Sequence, residues 1–284
     1  MDTMMRLRAP AKINLFLRIT GKRSDGYHEL FSLMCPVSLF DEIFLHFGAN
    51  QISVSCHGAD IPEDETNIAW RSAKRFFETI GMGGGVSLFI NKNIPVAAGL
   101  GGGSSDAAAV LSGLNQYYGS PLSHEQLMEI AGSIGADIPF FLSGRPAIVK
   151  GIGDILEPFC GIKPYCVVLV YPGFGLSTRE VFKKLNFKLT NRKKNHKNNS
   201  FNNREFKVPE DIINDLEIVS TSLYPDIMDA KNWLLITGAV GAAMSGSGSS
   251  VFGLFADSES AKNACRIIKR EHPNWQLYAV DLIL

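Results

Sequence analysis

The stretch Ile94–Val110, IPVAAGLGGGSSDAAAV, constrains the fold more than any other part of this 284-residue chain. An apolar run meets a proline, a glycine-rich turn follows, and an Ala-rich segment opens with two serines and an aspartate, the order of a strand, a loop and a helix. Such a turn aims several backbone N–H groups at one point, and the helix N-terminus adds about half a positive charge there. Gly101, Gly102 and Gly103 carry no side chain that would hold an anion away. Glycines alone would equally describe a flexible turn before an Ala-rich helix packed closely on a sheet. The serine pair and Asp106 favour a phosphate cradle.

The commoner cradles are excluded. No Lys-Ser or Lys-Thr follows the glycines, so the GxxxxGK[ST] loop is absent. Ser104 stands where the last glycine of GxGxxG would fall, and no acid follows at the spacing that a ribose hydroxyl needs. Lys+Arg and Asp+Glu each number 28. Nine of the bases lie between Lys183 and Lys207 beside one acid, Glu205, which leaves 19 basic against 27 acidic residues elsewhere. A body with that balance does not draw anions by its overall field, so a bound phosphate depends on a local device.

Alternation in Ala9–Ile19 predicts a half-buried strand with Lys12 and Asn14 on one face. Further strands are expected at Leu30–Val37, Ile43–Phe47, Ile52–Ser55 and Val86–Ile90, with a helix over Thr66–Ile80. Helices over Ser104–Tyr118 and Ser123–Ile134 follow, the second opened by a capping box of Ser123 and Gln126. Arg145–Lys150 and Tyr165–Tyr171 read as strands, and the glycines and prolines between them mark a domain boundary, giving domains 1–157 and 158–284. The second half continues with a helix capped by Ser177 and Glu180, helices near Asp211–Ser222 and Pro225–Leu235, a strand Val251–Phe255, a helix to about Arg270 and a final strand. The class is α+β.

Residues 186–203 are too polar to pack and too numerous for an ordinary connection, and they read as a mobile surface loop. Basic residues flanking Phe187, Phe201 and Phe206 allow a nucleic-acid patch, but solvated charge is the commoner meaning of such a run. No apolar run approaches the ~20 residues of a membrane span, and the N-terminus lacks the apolar core of a secretion signal. The five cysteines are scattered, without CxxC spacing. A reducing cytoplasm fits them, and structural zinc does not.

A second glycine loop, Thr237–Ser250, precedes a strand. It is either a tight turn or a surface of small residues that lets another segment, or a phosphate chain, come close. Asp137 in GADIPFF is an N-cap or, among Ile138, Phe140 and Phe141, a partly buried base kept ionised by a nearby cation. Lys12 could be that cation, or else an edge-strand lysine in solvent. His28 could be a base or, beside Tyr27, a stacking and hydrogen-bonding partner for a flat ring. HExxH, GxSxG, HRD and DFG are all absent.

With these residues in view, the chain resembles the GHMP small-molecule kinase superfamily. The blocks PAKINLFLRITGKRSDGYHEL, IPVAAGLGGGSSDAA followed by GADIPFF, and MSGSGSSVFGLF carry the likeness, with NDLE at Asn214–Glu217 and YPGFGLST at Tyr171–Thr178. The resemblance implies two domains with the active site in the cleft between them, and phosphoryl transfer from ATP to a free hydroxyl of a small-molecule substrate, here a CDP-linked methylerythritol. It implies ATP contacts from Pro95, Ala97, Ala98, Gly99, Leu100, Gly101, Gly102, Gly103, Ser104 and Ser105, with Asn67 and Lys92 near adenine. Asp137 is the implied base and Lys12 its partner. Asn14, Tyr27 and His28 contact the substrate, and Thr178 and Phe182 line the cytosine pocket. Ser105 offers a hydroxyl to Mg²⁺. A mevalonate or homoserine kinase of the same superfamily, or a non-catalytic sugar or nucleotide sensor on this fold, are the alternatives. Neither mevalonate nor homoserine has a base for Tyr27 and His28 to stack on, and a sensor has no use for Lys12 and Asp137 together.

Overall fold

The computed structural model describes residues 4–185 and 205–284, and the expected loop 186–203 lies outside them. In chain order the elements are β1 (Met4–Lys22), β2 (His28–Ala49), β3 (Ser53–His57), α1 (Ile68–Ile80), β4 (Gly85–Asn91), α2 (Gly102–Tyr117), α3 (His124–Ile134), α4 (Ile138–Ser143), β5 (Ala147–Gly151) and β6 (Ile155–Pro158). There follow β7 (Cys166–Tyr171), α5 (Thr178–Lys184), β8 (Ile213–Asn214), α6 (Glu217–Leu223), α7 (Asp226–Ile236), β9 (Gly241–Met244), β10 (Val251–Phe255), α8 (Ser258–Glu271) and β11 (Gln276–Asp281). They form two compact units whose segments interleave along the chain. One holds the chain up to Ala11, Leu39–Val96 and Gly101–Gly144, and the other Lys12–Ser38, Ala97–Leu100 and Arg145 onward.

In the first unit β4 runs antiparallel to the later half of β2, pairing Glu42 with Asn91, and β3 lies parallel to β4. Helix α1 puts Ala69, Ala73, Phe76 and Phe77 on one buried stripe, the 3.6-residue period of an amphipathic helix. It starts at Ile68 because Asn67 is extended and accepts the N–H of Ala69 through its side chain at 2.9 Å. Helix α2 packs on α1 and α4. A Cβ at Gly113 would lie 2.5 Å from Leu7 Cδ1 and 2.6 Å from Leu45 Cδ1, so the close approach of this helix requires glycine there. Both reciprocal bonds of the Ser123–Gln126 capping box are present at the start of α3. Ser123→Ala is expected to cost about 1 kcal/mol in a denaturant titration.

In the second unit β11, β7, β10 and β9 form an antiparallel sheet in that order. Helix α7 packs on β9 and β10, and α8 on β7 and β11, over a core that includes Val168, Val170, Leu234, Met244, Phe255 and Ile268. The early half of β2 pairs with β5 through Leu30–Gly151, β6 pairs with β5, and β8 lies parallel to β1 at Phe16 and Leu17.

Three expectations change. Leu30–Val37 and Ile43–Phe47 belong to one strand, β2, because Ser38–Glu42 has no glycine or proline to break it and stays extended between its two pairing partners. Residues 211–216 are not helical. Asn214 pairs in β8, its side chain accepts the N–H of Leu216 at 2.9 Å, and the helix begins only at Glu217. Strand β1 is not half-buried: Lys12 and Asn14 are as buried as Ile13 and Leu15, since the face that carries them is covered rather than exposed to water. Strand β6 had no signal in the sequence, because Ile155–Pro158 is a short edge segment with little apolar burial. Among the described residues no helix is long and apolar enough to cross a membrane.

Candidate active site

The loop before α2 turns tightly. Ala97, Gly99 and Gly101 have φ of +53°, +78° and +71°, left-handed values that strain the alanine and suit the glycines. Gly101 is the N-cap of α2 and makes no side-chain cap bond. An α-helix offers no internal partner to its first N–H groups, here those of Gly102, Gly103 and Ser104. Gly103 is exposed, and a Cβ placed on it would meet the Ile68 side chain, at 3.5 Å from Cδ1. The helix therefore opens towards solvent with bare backbone donors, which fits an anion. The hydroxyl of Ser105 is buried and has no hydrogen-bond partner. Among the described residues no group of three or more His, Cys, Asp or Glu side chains could hold a metal ion.

In the same unit Asn67 uses its carbonyl on Ala69 N and its amide on Pro62 O at 2.7 Å. The Lys92 ammonium is buried between Asp41 and Asp106. Burial pushes the Asp106 carboxyl upward, against the pull of Lys92. Asp137 stands at the N-cap position of α4 but with helical backbone, φ −85° and ψ −12°, and its side chain makes no cap bond. The turn into α4 is closed by the backbone instead, through Ile138 N–H to Gly135 O at 3.2 Å. Asp137 is thus the N-cap of α4 by position, but its side chain does not cap the helix. The carboxylate is half-buried, beside the buried Ile138, Phe140 and Phe141.

In the second unit the Lys12 ammonium donates to Asn14 Oδ1 at 2.6 Å, and Asn14 Nδ2 donates to Ser32 Oγ at 2.8 Å. Ser32 Oγ in turn donates to Phe16 O at 2.6 Å. Lys12 is 4% exposed, so it is no edge lysine in solvent. The second glycine loop supplies the cover. Ser245 Oγ accepts the N–H of Asn14 at 3.3 Å and donates to Gly99 O at 2.9 Å, and Ser250 N–H donates to Ala98 O at 3.1 Å. A Cβ on Gly246 would sit 3.4 Å from both Asn14 Oδ1 and Lys12 Nζ. The small residues of this loop thus admit another segment, the Ala97–Leu100 stretch and β1 behind it. Asn214 fastens the loop by donating to Met244 O at 2.7 Å and Gly246 O at 2.8 Å.

Thr178 and Ser247 share a hydroxyl hydrogen bond of 2.8 Å. The rings of His28 and Phe182 lie 5.3 Å apart between centroids, tilted by 36°, so two residues far apart in the sequence form one aromatic wall. Tyr27 beside them is 63% exposed. Partial burial, and then the charge of Lys22, hold the His28 imidazole below its usual pKa. At neutral pH it presents one N–H and one bare nitrogen. Ser32, Ser245 and Asn214 escaped the reading of single residues. Asn214 and Ser245 do carry a signal, since NDLE and MSGSGSS are among the blocks of the resemblance, whereas Ser32 lies beyond the end of the first block at Leu30.

One unit carries a glycine-cradled helix terminus of the kind that suits a phosphate, and the other a buried Lys–Asn pair under a second glycine loop. Family models agree: "GHMP kinases N terminal domain" matches residues 67–145 and "GHMP kinases C terminal" matches 197–274. A protein of Syntrophotalea carbinolica named 4-diphosphocytidyl-2-C-methyl-D-erythritol kinase is 46% identical over 274 residues, which cover 96% of this chain and 97% of that one. One of the same name from Syntrophus aciditrophicus is 40% identical, covering 99% and 100%. The crystal structure of a 4-(cytidine 5'-diphospho)-2C-methyl-D-erythritol kinase superposes with a TM-score of 0.79 at 32% identity, over 98% of this chain and 99% of the other. A homoserine kinase from Cytophaga hutchinsonii reaches a TM-score of 0.70 at 17% identity, over 100% of this chain and 96% of the other, and shares the fold. The chain belongs to the GHMP kinases and is an ATP-dependent small-molecule kinase.

Proposed function

We propose that this kinase transfers the γ-phosphoryl group of ATP to the free hydroxyl at the 2-position of 4-diphosphocytidyl-2-C-methyl-D-erythritol, a step of non-mevalonate isoprenoid precursor biosynthesis. The observation that carries the proposal is the identity of 40 to 46% with kinases of that name, sustained along nearly the whole chain. The working domain division is 1–157 and 158–284, and the enzyme acts in the cytoplasm. Its partner is this small molecule, with no nucleic acid and no membrane.

In this reading Pro95, Ala97, Ala98, Gly99, Leu100, Gly101, Gly102, Gly103, Ser104 and Ser105 surround the ATP phosphates. The N–H groups of the first turn of α2 hold the negative oxygens, and they are already oriented before ATP arrives. Asn67 and Lys92 lie towards adenine and shape that end of the site, since their side chains are engaged within the protein. Mg²⁺, when bound with ATP, neutralises phosphate charge. Ser105 would offer it a hard oxygen, a role that suits a hydroxyl without another partner. Asp137 accepts the proton of the attacking hydroxyl. Lys12, oriented by Asn14, steadies that hydroxyl and the charge that develops on it. Tyr27, His28, Thr178 and Phe182 receive the cytidine end, with Asn14 nearer the alcohol.

Release of ADP measured in parallel with the CDP-linked alcohol, mevalonate and homoserine tests the proposal. Turnover with either of the last two at a comparable kcat/KM would overturn it, and no turnover with any would favour a sensor. A neutral His28 that reads the cytosine edge leaves a buried polar group unpaired when a UDP-linked analogue replaces the amino donor with a carbonyl. That analogue is expected to lose at least ~2 kcal/mol in kcat/KM. His28→Ala should weaken use of the CDP-linked substrate and leave the Kd for ATP unchanged. Equal use of both analogues by the wild type would show that the base is not read at this wall.

A further inference from the structure

We propose that Lys92, held between Asp41 and Asp106, clasps the two ends of the phosphate loop, and that Asp106 is therefore a positioning residue for ATP. This rests on the reading of the loop as the phosphate site.

Asp41 lies on β2, Lys92 directly after β4, and Asp106 in the second turn of α2. The Lys92 ammonium donates to Asp41 Oδ2 and, at 2.8 Å, to Asp106 Oδ2. The other oxygen of Asp41 accepts the N–H groups of Asn93 at 2.6 Å and Ile94 at 2.8 Å, the last residues before the loop. One ammonium thus ties the chain that enters the loop at 93–94 to the helix that leaves it. All three side chains are 3% exposed or less, so water does not compete for these bonds. A Cβ on Gly102, the first residue of α2, would sit 3.1 Å from Lys92 Nζ and 3.0 Å from Ile94 Cγ2. Gly102 is therefore needed for the clasp as well as for the approach of a phosphate.

Two carboxyl groups share one ammonium. Asp41 and Lys92 already make a complete pair, and the second oxygen of Asp106 is buried without a hydrogen-bond partner. Stability alone gives no reason for a second buried carboxyl group, because such groups lose more in desolvation than they regain unless every oxygen is satisfied. What Asp106 adds is a tether from the pair to α2. Between the tethered ends the chain carries left-handed residues at Ala97, Gly99 and Gly101, a shape that lasts only if its surroundings hold it. Fixed ends keep the N–H groups of Gly102, Gly103 and Ser104 aimed before ATP binds.

The test compares Asp106→Leu, Asp106→Asn and Gly103→Asp with the wild type, by calorimetric titration with ATP and by steady-state kinetics in both substrates. Asp106→Leu should keep or raise the melting temperature, raise the Kd and KM for ATP by about tenfold or more, and leave the KM for the alcohol within about threefold. Asp106→Asn, which keeps an oxygen for Lys92, should fall between, and it decides the matter if the leucine variant fails to fold. A purely structural role would move both KM values together. Gly103→Asp puts a carboxylate at an exposed first-turn position that a helix tolerates well, and it should abolish ATP binding in a folded protein. If Gly103→Asp loses ATP while both Asp106 variants bind it as tightly as the wild type, the clasp is overturned and the phosphate site stands. If Gly103→Asp binds ATP normally, the phosphate reading falls and the clasp with it.

Discussion

Asp137→Asn is expected to fold as the wild type does and to lose about 10²- to 10⁴-fold in kcat, with the Kd for ATP changed by no more than a few fold. Folding should survive because the side chain makes no cap bond to α4, whose first turn is closed by the backbone bond from Ile138 to Gly135. An amide of nearly the same shape therefore costs the helix nothing. Turnover should fall because asparagine cannot accept a proton. A carboxylate is far too weak to deprotonate an alcohol in the ground state, so the proton must move as the new O–P bond forms, and the loss belongs to kcat. Single-turnover measurements with saturating ATP would separate this step from binding. A variant that keeps more than about a tenth of the wild-type kcat would remove Asp137 from the role of base.

Gly99→Ala should be strongly damaging for a change of a single methyl group. The added Cβ would lie 2.1 Å from Ser245 O and 3.1 Å from both Gly248 N and Gly248 O, backbone atoms that cannot swing aside. The φ of +78° adds about 1–2 kcal/mol of left-handed strain for a residue with a Cβ. The two glycine loops would have to part, breaking the bonds from Ser245 Oγ to Gly99 O and from Ser250 N to Ala98 O. Lys12 and Asn14 would then lose the cover of the second glycine loop. We expect a loss of more than about 2 kcal/mol in stability, within the range of overpacked interiors, and loss of turnover. Gly103→Ala, four residues on, adds its Cβ in ordinary contact with Ile68 and should gain about 0.5–1 kcal/mol from helix propensity. Thermal denaturation of the two variants beside the wild type checks the pair. Similar melting temperatures for both would contradict the packing of one glycine loop on the other.

What the sequence determined by itself is local. The glycine-rich loop, its helix, the Ser123–Gln126 box and the buried stripe of α1 follow from backbone freedom at glycine, from caps that reach three residues, and from a period of 3.6. Each depends on neighbours within a turn or two, so it is legible one segment at a time. The GHMP likeness extended that reading by recognising blocks whose joint purpose no single segment reveals. Tertiary structure decided the rest. Alternation in Ala9–Ile19 says that two faces differ, but not whether the polar face meets water. It meets Ser245, 231 residues beyond Asn14, and so Lys12 is buried. The second glycine loop left open what its small residues admit, and the answer lies 146 residues away at Gly99. Asp137 precedes a helix as an N-cap would, yet the backbone closes that turn first. The resemblance places Lys92 near adenine, and only the fold shows that Asp41 and Asp106 enclose its ammonium from two other elements. A buried polar group must find its partners wherever the fold brings them, and sequence separation sets no limit on that distance.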